Sequence, residues 1–265
     1  MFKRGSILFI LSAVLFLSGC AGLSGDSVQN EAAQGFNADQ LPALEELPKF
    51  SAETARAGTP NGWNFYRIAP FKKNTIYRLE NYQGRTVLSA NSKTSASGLA
   101  VKLRPRQATN LLLQWEWKVI NPIIKADNAD GYADDAPLRI LVAFDGNKSK
   151  LSLKEKMNFE MANLISGQEM PYATLMYIWS GKSSVDTIIP NAHTSRIKMI
   201  VVDSGWDNLD QWHKRQRDLA ADFKRAYGEV PGEIIGIALL TDTDNTKSET
   251  QAYYGDIELV RKNQK

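Results

Sequence analysis

The sequence predicts an all-β fold with minor α, an antiparallel β-sandwich carrying two peripheral helices, and three observations point there. From Trp63 onward, short apolar segments alternate with turn residues at sandwich spacing. The run Ile234–Leu240 is too short for most helices, and its Ile and Leu content suits a strand covered on both faces. With 265 residues, 43% of them hydrophobic, and a single cysteine, the chain can bury one domain's core and must rely on it, having no internal disulfide.

The first element is not part of the fold. Met1-Phe2-Lys3-Arg4 is basic, Ile7 to Leu17 is almost wholly apolar, and Leu17-Ser18-Gly19-Cys20 closes the segment with small residues. Residues 1–19 therefore read as a secretory signal, since about 20 apolar residues are needed to span a membrane and this run falls short. Leu17-Ser18-Gly19-Cys20 resembles the lipobox of bacterial lipoproteins, a likeness that implies palmitate-type acylation of Cys20 and attachment to a membrane. Ala21 after the cysteine implies the outer membrane, facing the periplasm. Residues 20–59, poor in large apolar side chains and punctuated by Pro42 and Pro48, read as a tether, leaving 60–265 as the sandwich domain. Some 25 flexible residues would reach about 25–30 Å.

Expected strands are Thr75–Glu80, Thr86–Ala90, Leu99–Leu103, Leu112–Val119, Leu138–Phe144, Ala173–Trp179, Arg196–Val202, Ile234–Leu240 and Tyr254–Val260. Gln83-Gly84, Ser97-Gly98, Asp145-Gly146, Ser180-Gly181 and Ser204-Gly205 punctuate them as turns. One helix is expected over Asn208–Tyr227, with Leu209, Trp212, Leu219, Phe223 and Tyr227 along a stripe and Gly228 as its stop. A second is expected over Leu153–Ile165, where Met157, Met161, Leu164 and Ile165 make a face that should pack into the core.

Asp242 and Asp244, at the end of the central strand, leave on the same side because strand side chains alternate. With Asn245 they are candidate metal ligands, and calcium is the natural ion for such oxygens. Asp134 and Asp135, from the acidic loop Asp127–Asp135, are candidate ligand-binding partners at the same edge. The loop is not an EF-hand, since Ala126 and Pro137 fall where ligands are required. Arg139 and Asp256 complete the expected acidic site, Arg139 as an alternative compensating charge.

Trp115 and Trp117 share one face of their strand, and paired indoles suit sugar stacking, although filling the core is the commoner use of strand aromatics. Tyr172 and Trp179 raise the same alternatives. His193 is the better placed of two histidines, but no Gly-x-Ser-x-Gly elbow supports a hydrolase triad. Formal charge is +3, closer to neutral without Lys3 and Arg4, and gives no case for a nucleic-acid partner.

Taken in order, Trp115-Glu-Trp-Lys-Val, Asp134-Asp-Ala-Pro-Leu-Arg-Ile, Val142-Ala-Phe-Asp-Gly, Pro171-Tyr-Ala-Thr-Leu-Met-Tyr and Thr241-Asp-Thr-Asp-Asn-Thr resemble a DUF3047-like family of exported bacterial proteins catalogued as a domain of unknown function. The resemblance runs from about Trp63 to Ile257 and implies no activity and no catalytic residues. A jelly-roll or lectin-like sandwich is the nearest fold analogy, and analogy of fold does not establish function. The expectation is a lipid-anchored envelope protein binding a glycan or other polar ligand without catalysis. A carbohydrate-active hydrolase using a carboxylate pair and a structural envelope protein are the alternatives.

Overall fold

The computed structural model describes residues 41–166 and 169–262; the expected signal, Cys20 and the first part of the expected tether lie outside the described residues. The strands are β1 (Arg56–Ala57), β2 (Asn64–Arg67), β3 (Ile76–Tyr82), β4 (Arg85–Lys93), β5 (Ala96–Gln107), β6 (Leu111–Val119), β7 (Ala136–Phe144), β8 (Ala173–Ser180), β9 (Ile188–Pro190), β10 (Ile197–Ser204), β11 (His213–Asp218), β12 (Glu233–Asp242) and β13 (Glu249–Arg261). The α-helices are α1 (Leu153–Ser166) and α2 (Leu219–Tyr227). They build the expected antiparallel sandwich, one sheet ordered β1-β3-β4-β13-β6-β11 and the other β2-β5-β12-β7-β8-β10-β9. A single pair among the described strands, β8 with β10, runs parallel.

Strand β12 earns its central place by composition: Ile234, Ile237 and Leu239 are buried between the sheets while β5 and β7 satisfy its backbone on either side. Between β3 and β4, Gln83 and Gly84 both take positive φ, the geometry of a tight primed hairpin turn matched to strand twist. The inner faces of the two sheets meet through aromatics: Trp115 of β6 stacks on Tyr177 of β8 with ring centroids 5.4 Å apart. A smaller apolar cluster of Met176, Ile178, Ile189, Met199 and Val201 lies apart from this main core.

Three expectations need correcting. The single helix over Asn208–Tyr227 is instead a strand followed by a helix. His213–Asp218 pairs antiparallel with β6, and Asp218 then caps α2 by accepting the Ala221 N–H at 3.1 Å. Alternation explains the strand, for Arg215 and Arg217 reach buried Asp203 and Asp222 while Lys214 and Gln216 stay exposed. Helix α1 forms where expected, but Met157, Met161, Leu164 and Ile165 are exposed rather than packed into the core. The folded body also starts before residue 60: the Leu44 N–H donates to the Lys102 carbonyl at 2.9 Å, and Leu47 and Phe50 are buried in the main core.

Candidate ligand-binding face

The acidic edge is assembled where expected, although Asp244 lies in the turn after β12 rather than on the strand, and the edge is closed. Carboxylate oxygens of Asp135, Asp242 and Asp244 lie within 4.8 Å of one another. Asp135 is fully buried and accepts the Asn245 N–H (3.1 Å), the Thr246 N–H (2.7 Å) and the Thr246 hydroxyl (2.5 Å). Asp242 accepts the Ala136 N–H (3.0 Å) and Arg139 Nε (2.9 Å) and Nη2 (3.2 Å). Arg139 also reaches Asp134 Oδ1 at 2.9 Å, so one guanidinium serves two carboxylates. Asp244 pairs with Lys72 at 2.6 Å, leaving its buried Oδ1 as the one oxygen of the three carboxylates without a partner. Asn245 donates its side-chain N–H to the Gly131 carbonyl at 3.0 Å.

This donor set does not fit calcium, which takes about 6–8 oxygens, because every carboxylate oxygen of the three except Asp244 Oδ1 is already committed to an N–H or O–H group. Burial is the main influence on Asp242 and pushes its pKa up to about 7, with Asp134 and Asp135 adding to the rise and Arg139 opposing it. Burial likewise works against the charge of Arg139, but Asp134 and Asp242 outweigh it and raise its pKa. The edge is thus an electrostatic brace between β7, β12 and the loops around them.

The remaining expected residues disperse. Trp115, Trp117 and Trp179 are core residues, not stacking platforms, at 4%, 0% and 1% exposure. Trp117 Nε1 donates to Asp203 Oδ2 at 2.7 Å, and Trp179 Nε1 to the Gly205 carbonyl at 2.9 Å. Tyr172 donates its hydroxyl to Glu229 at 2.8 Å, with Arg196 4.1 Å above its ring. His193 is exposed beside Asp130 and Tyr132 in a shallow concavity of about 490 Å³. Asp256 does not converge with Asp134 and Asp242: it accepts the Ser51 N–H and hydroxyl and lies on the other sheet.

Asp256 instead belongs to a trough of about 480 Å³ across β13, β6 and β11. Strand registry builds it, because Glu258, Gln114 and Gln216 face one another across three strands and Glu116 sits opposite Lys214. Gly255 lets Glu116 fit, since a Cβ there would come within 2.5 Å of Glu116 Cγ. Gln114 Nε2 donates to Gln216 Oε1 at 2.5 Å. At one end Arg85 pairs with Glu116 and lays its guanidinium 4.2 Å from the Trp212 ring centroid. Tyr82 stands edge-on to Trp212 at 6.1 Å and 5.0 Å from Tyr253. Sequence reasoning missed Glu116, Trp212, Tyr82 and Tyr253. Glu116 carried a usable signal, being the residue that alternation turns away from two core indoles.

Each carboxylate of the trough is already engaged: Glu116 with Arg85, Asp256 with Ser51, and Glu258 with Lys49 at 2.5 Å. Such a surface offers amide, ammonium and carboxylate groups to hydroxyls, beside an aromatic cluster.

Among solved structures, the chain is similar to an exo-beta-agarase at 14% identity, covering 83% of this chain and 25% of that one, with a TM-score of 0.36. It is similar to a cyclase from Fischerella sp. TAU in complex with 4-(1H-Indol-3-yl)butan-2-one at 11% identity, over 83% and 100% of the two chains, TM-score 0.36. A family 12 xyloglucanase from Bacillus licheniformis is similar at 7% identity over 82% and 99%, TM-score 0.40. The chain thus spans a quarter of the agarase chain, and likenesses this weak carry no activity over. No curated protein matches the chain in sequence. The profile of DUF3047, described as a protein of unknown function, matches residues 61–258, and the chain belongs to that family.

Proposed function

We propose that this is a lipid-anchored protein of the bacterial cell envelope that binds a glycan, or a ligand equally rich in hydroxyls, in the trough across β13, β6 and β11, without catalysis. The observation that carries the reading is the trough itself, a solvent-facing row of Gln114, Gln216, Glu258, Glu116 and Lys214, with Arg85 bridging from Glu116 to the Trp212 ring beside it and Tyr82 beyond. Side chains of this kind accept from and donate to sugar hydroxyls, and rigid rings supply apolar area at low entropic cost. The anchor rests on Leu17-Ser18-Gly19-Cys20.

A carboxylate-pair hydrolase is the less favoured reading. General acid catalysis near neutrality calls for a carboxyl held protonated within reach of substrate. Asp242, pushed up to about 7, is 6% exposed and bound to Arg139, away from the trough. Calcium at the acidic edge is likewise disfavoured, since Arg139, Lys72 and backbone N–H groups already occupy nearly all of its carboxylate oxygens.

A glycan array probed with the purified protein, with mass spectrometry of the bound sugars, tests the proposal. Retention of intact oligosaccharide by the wild type, lost in Gln114→Ala with Lys214→Ala, is the expected result. Release of shortened sugars would establish the hydrolase instead.

A further inference from the structure

Helix α1 docks by its polar side and turns its apolar side to solvent, the reverse of a surface helix in a globular protein. Ser152 caps it, accepting the Glu155 N–H at 3.2 Å. Towards the body, Glu155 accepts the Thr194 hydroxyl (2.5 Å) and the Ser195 N–H (3.0 Å), and Asn158 donates to the His193 carbonyl at 2.8 Å. Away from it, Leu153, Met157, Met161 and Leu164 are 75%, 61%, 57% and 81% exposed. Their spacing of three and four residues places them on one stripe.

We infer that this stripe is a membrane-contact surface that rests on anionic phospholipid. Charge selects the occupant: Lys150, Lys154 and Lys156 are exposed beside the stripe, against Glu160 as the exposed acid of the helix. A basic flank with an apolar face is the pattern of helices lying in the lipid interface. Topology agrees. The Leu44 N–H bonds the Lys102 carbonyl of β5, Lys102 is in register with Gly236 of β12, and Gly236 with Ala143 of β7. The chain leaves β7 for α1 one residue later, after Phe144, and returns to β8 at Ala173 opposite Phe144. The N-terminal segment and α1 therefore meet the seven-stranded sheet at the same end. The roughly 20 residues between Cys20 and Leu41 span at most about 70 Å, so a lipid on Cys20 keeps bilayer within reach of that end. The inference rests on the proposed anchor.

The test uses the acylated protein in phosphatidylglycerol-containing vesicles whose acyl chains carry a nitroxide quencher. Cys20 is the only native cysteine, so Leu164→Cys supplies the one free thiol for a bimane label, and Lys93→Cys supplies a control. Lys93 is exposed and pairs with Glu249 at the acidic-edge end, away from α1. We expect loss of most of the emission at position 164, little at position 93, and recovery at position 164 in phosphatidylcholine vesicles or at high salt. Protein that floats with the vesicles yet stays unquenched at position 164 overturns the inference and leaves the anchor standing. Failure to float, with Cys20 unmodified by mass, defeats the anchor and the inference with it. Excimer-type contact between position-164 labels without vesicles would assign the stripe to a second copy of the chain, and also overturns it.

Discussion

Asp242 sits at 6% exposure against one guanidinium that it shares with Asp134, so the buried edge carries more negative than positive charge. Its folded pKa, about 7, lies above the ordinary value of 3.8 that applies when the chain is unfolded. The folded state therefore holds this proton more tightly. The resulting stabilisation is complete below about pH 4 and is lost as pH rises through 7, a change of at most about 4 kcal/mol. Melting temperatures measured from pH 5 to 8 should fall in the wild type and fall less in Asp242→Asn. Arg139→Leu leaves buried Asp242 and half-buried Asp134 without their shared cation and should cost about 3–5 kcal/mol in urea denaturation. Alternation alone put Asp242 and Asp244 on one side and offered Arg139 as a partner. What no local pattern encoded is that Asn245 and Thr246 spend their N–H groups on Asp135, 110 and 111 residues away. Trp115 and Trp117 show the same limit: a strand's residues say which share a face, and the opposing sheet decides which face is inside.

Strand β11 and helix α2 show how one stretch can satisfy two periodicities. Trp212, Leu219, Phe223 and Tyr227 suggest a continuous helical stripe, but Asp218 ends the strand and caps the helix, and Gly228 at φ 70° closes it. Asp218→Ala should cost about 1 kcal/mol, seen as a lower denaturation midpoint with an unchanged slope. Its pKa is lowered, with burial opposing the charge and Lys262 and the Ala221 N–H favouring it, so the cap weakens as pH falls towards the carboxylate range. The expected strands were legible because most carry apolar residues bounded by turn chemistry, whereas Ser97-Gly98, expected as a turn, lies inside β5. Strands β1, β2 and β9 were not, being only 2, 4 and 3 residues long with few buried side chains to set a period. Strand β11 hid because its inward residues are His213, Arg215 and Arg217, whose burial depends on Asp203 and Asp222 elsewhere in the chain.

At the scale of the whole molecule, the two sheets divide the work. The seven-stranded sheet carries the braced acidic edge, and the six-stranded sheet carries the trough. If Arg139 and Lys72 are the compensating charges, calcium and chelator should leave the melting temperature unmoved. A rise with calcium concentration would mean that a cation binds the folded state after all. What the six-stranded sheet is proposed to do is hold a glycan in its trough. Titration calorimetry of an array-selected oligosaccharide against wild type, Trp212→Ala and Gln216→Ala measures it most directly, with Asp218→Ala as a control for general destabilisation. About tenfold weaker binding is expected for Trp212→Ala, from a loss on the order of 1–1.5 kcal/mol of ring contact, with weakened binding for Gln216→Ala as well and wild-type affinity for the control. Wild-type affinity in both Trp212→Ala and Gln216→Ala would place the ligand elsewhere on the molecule.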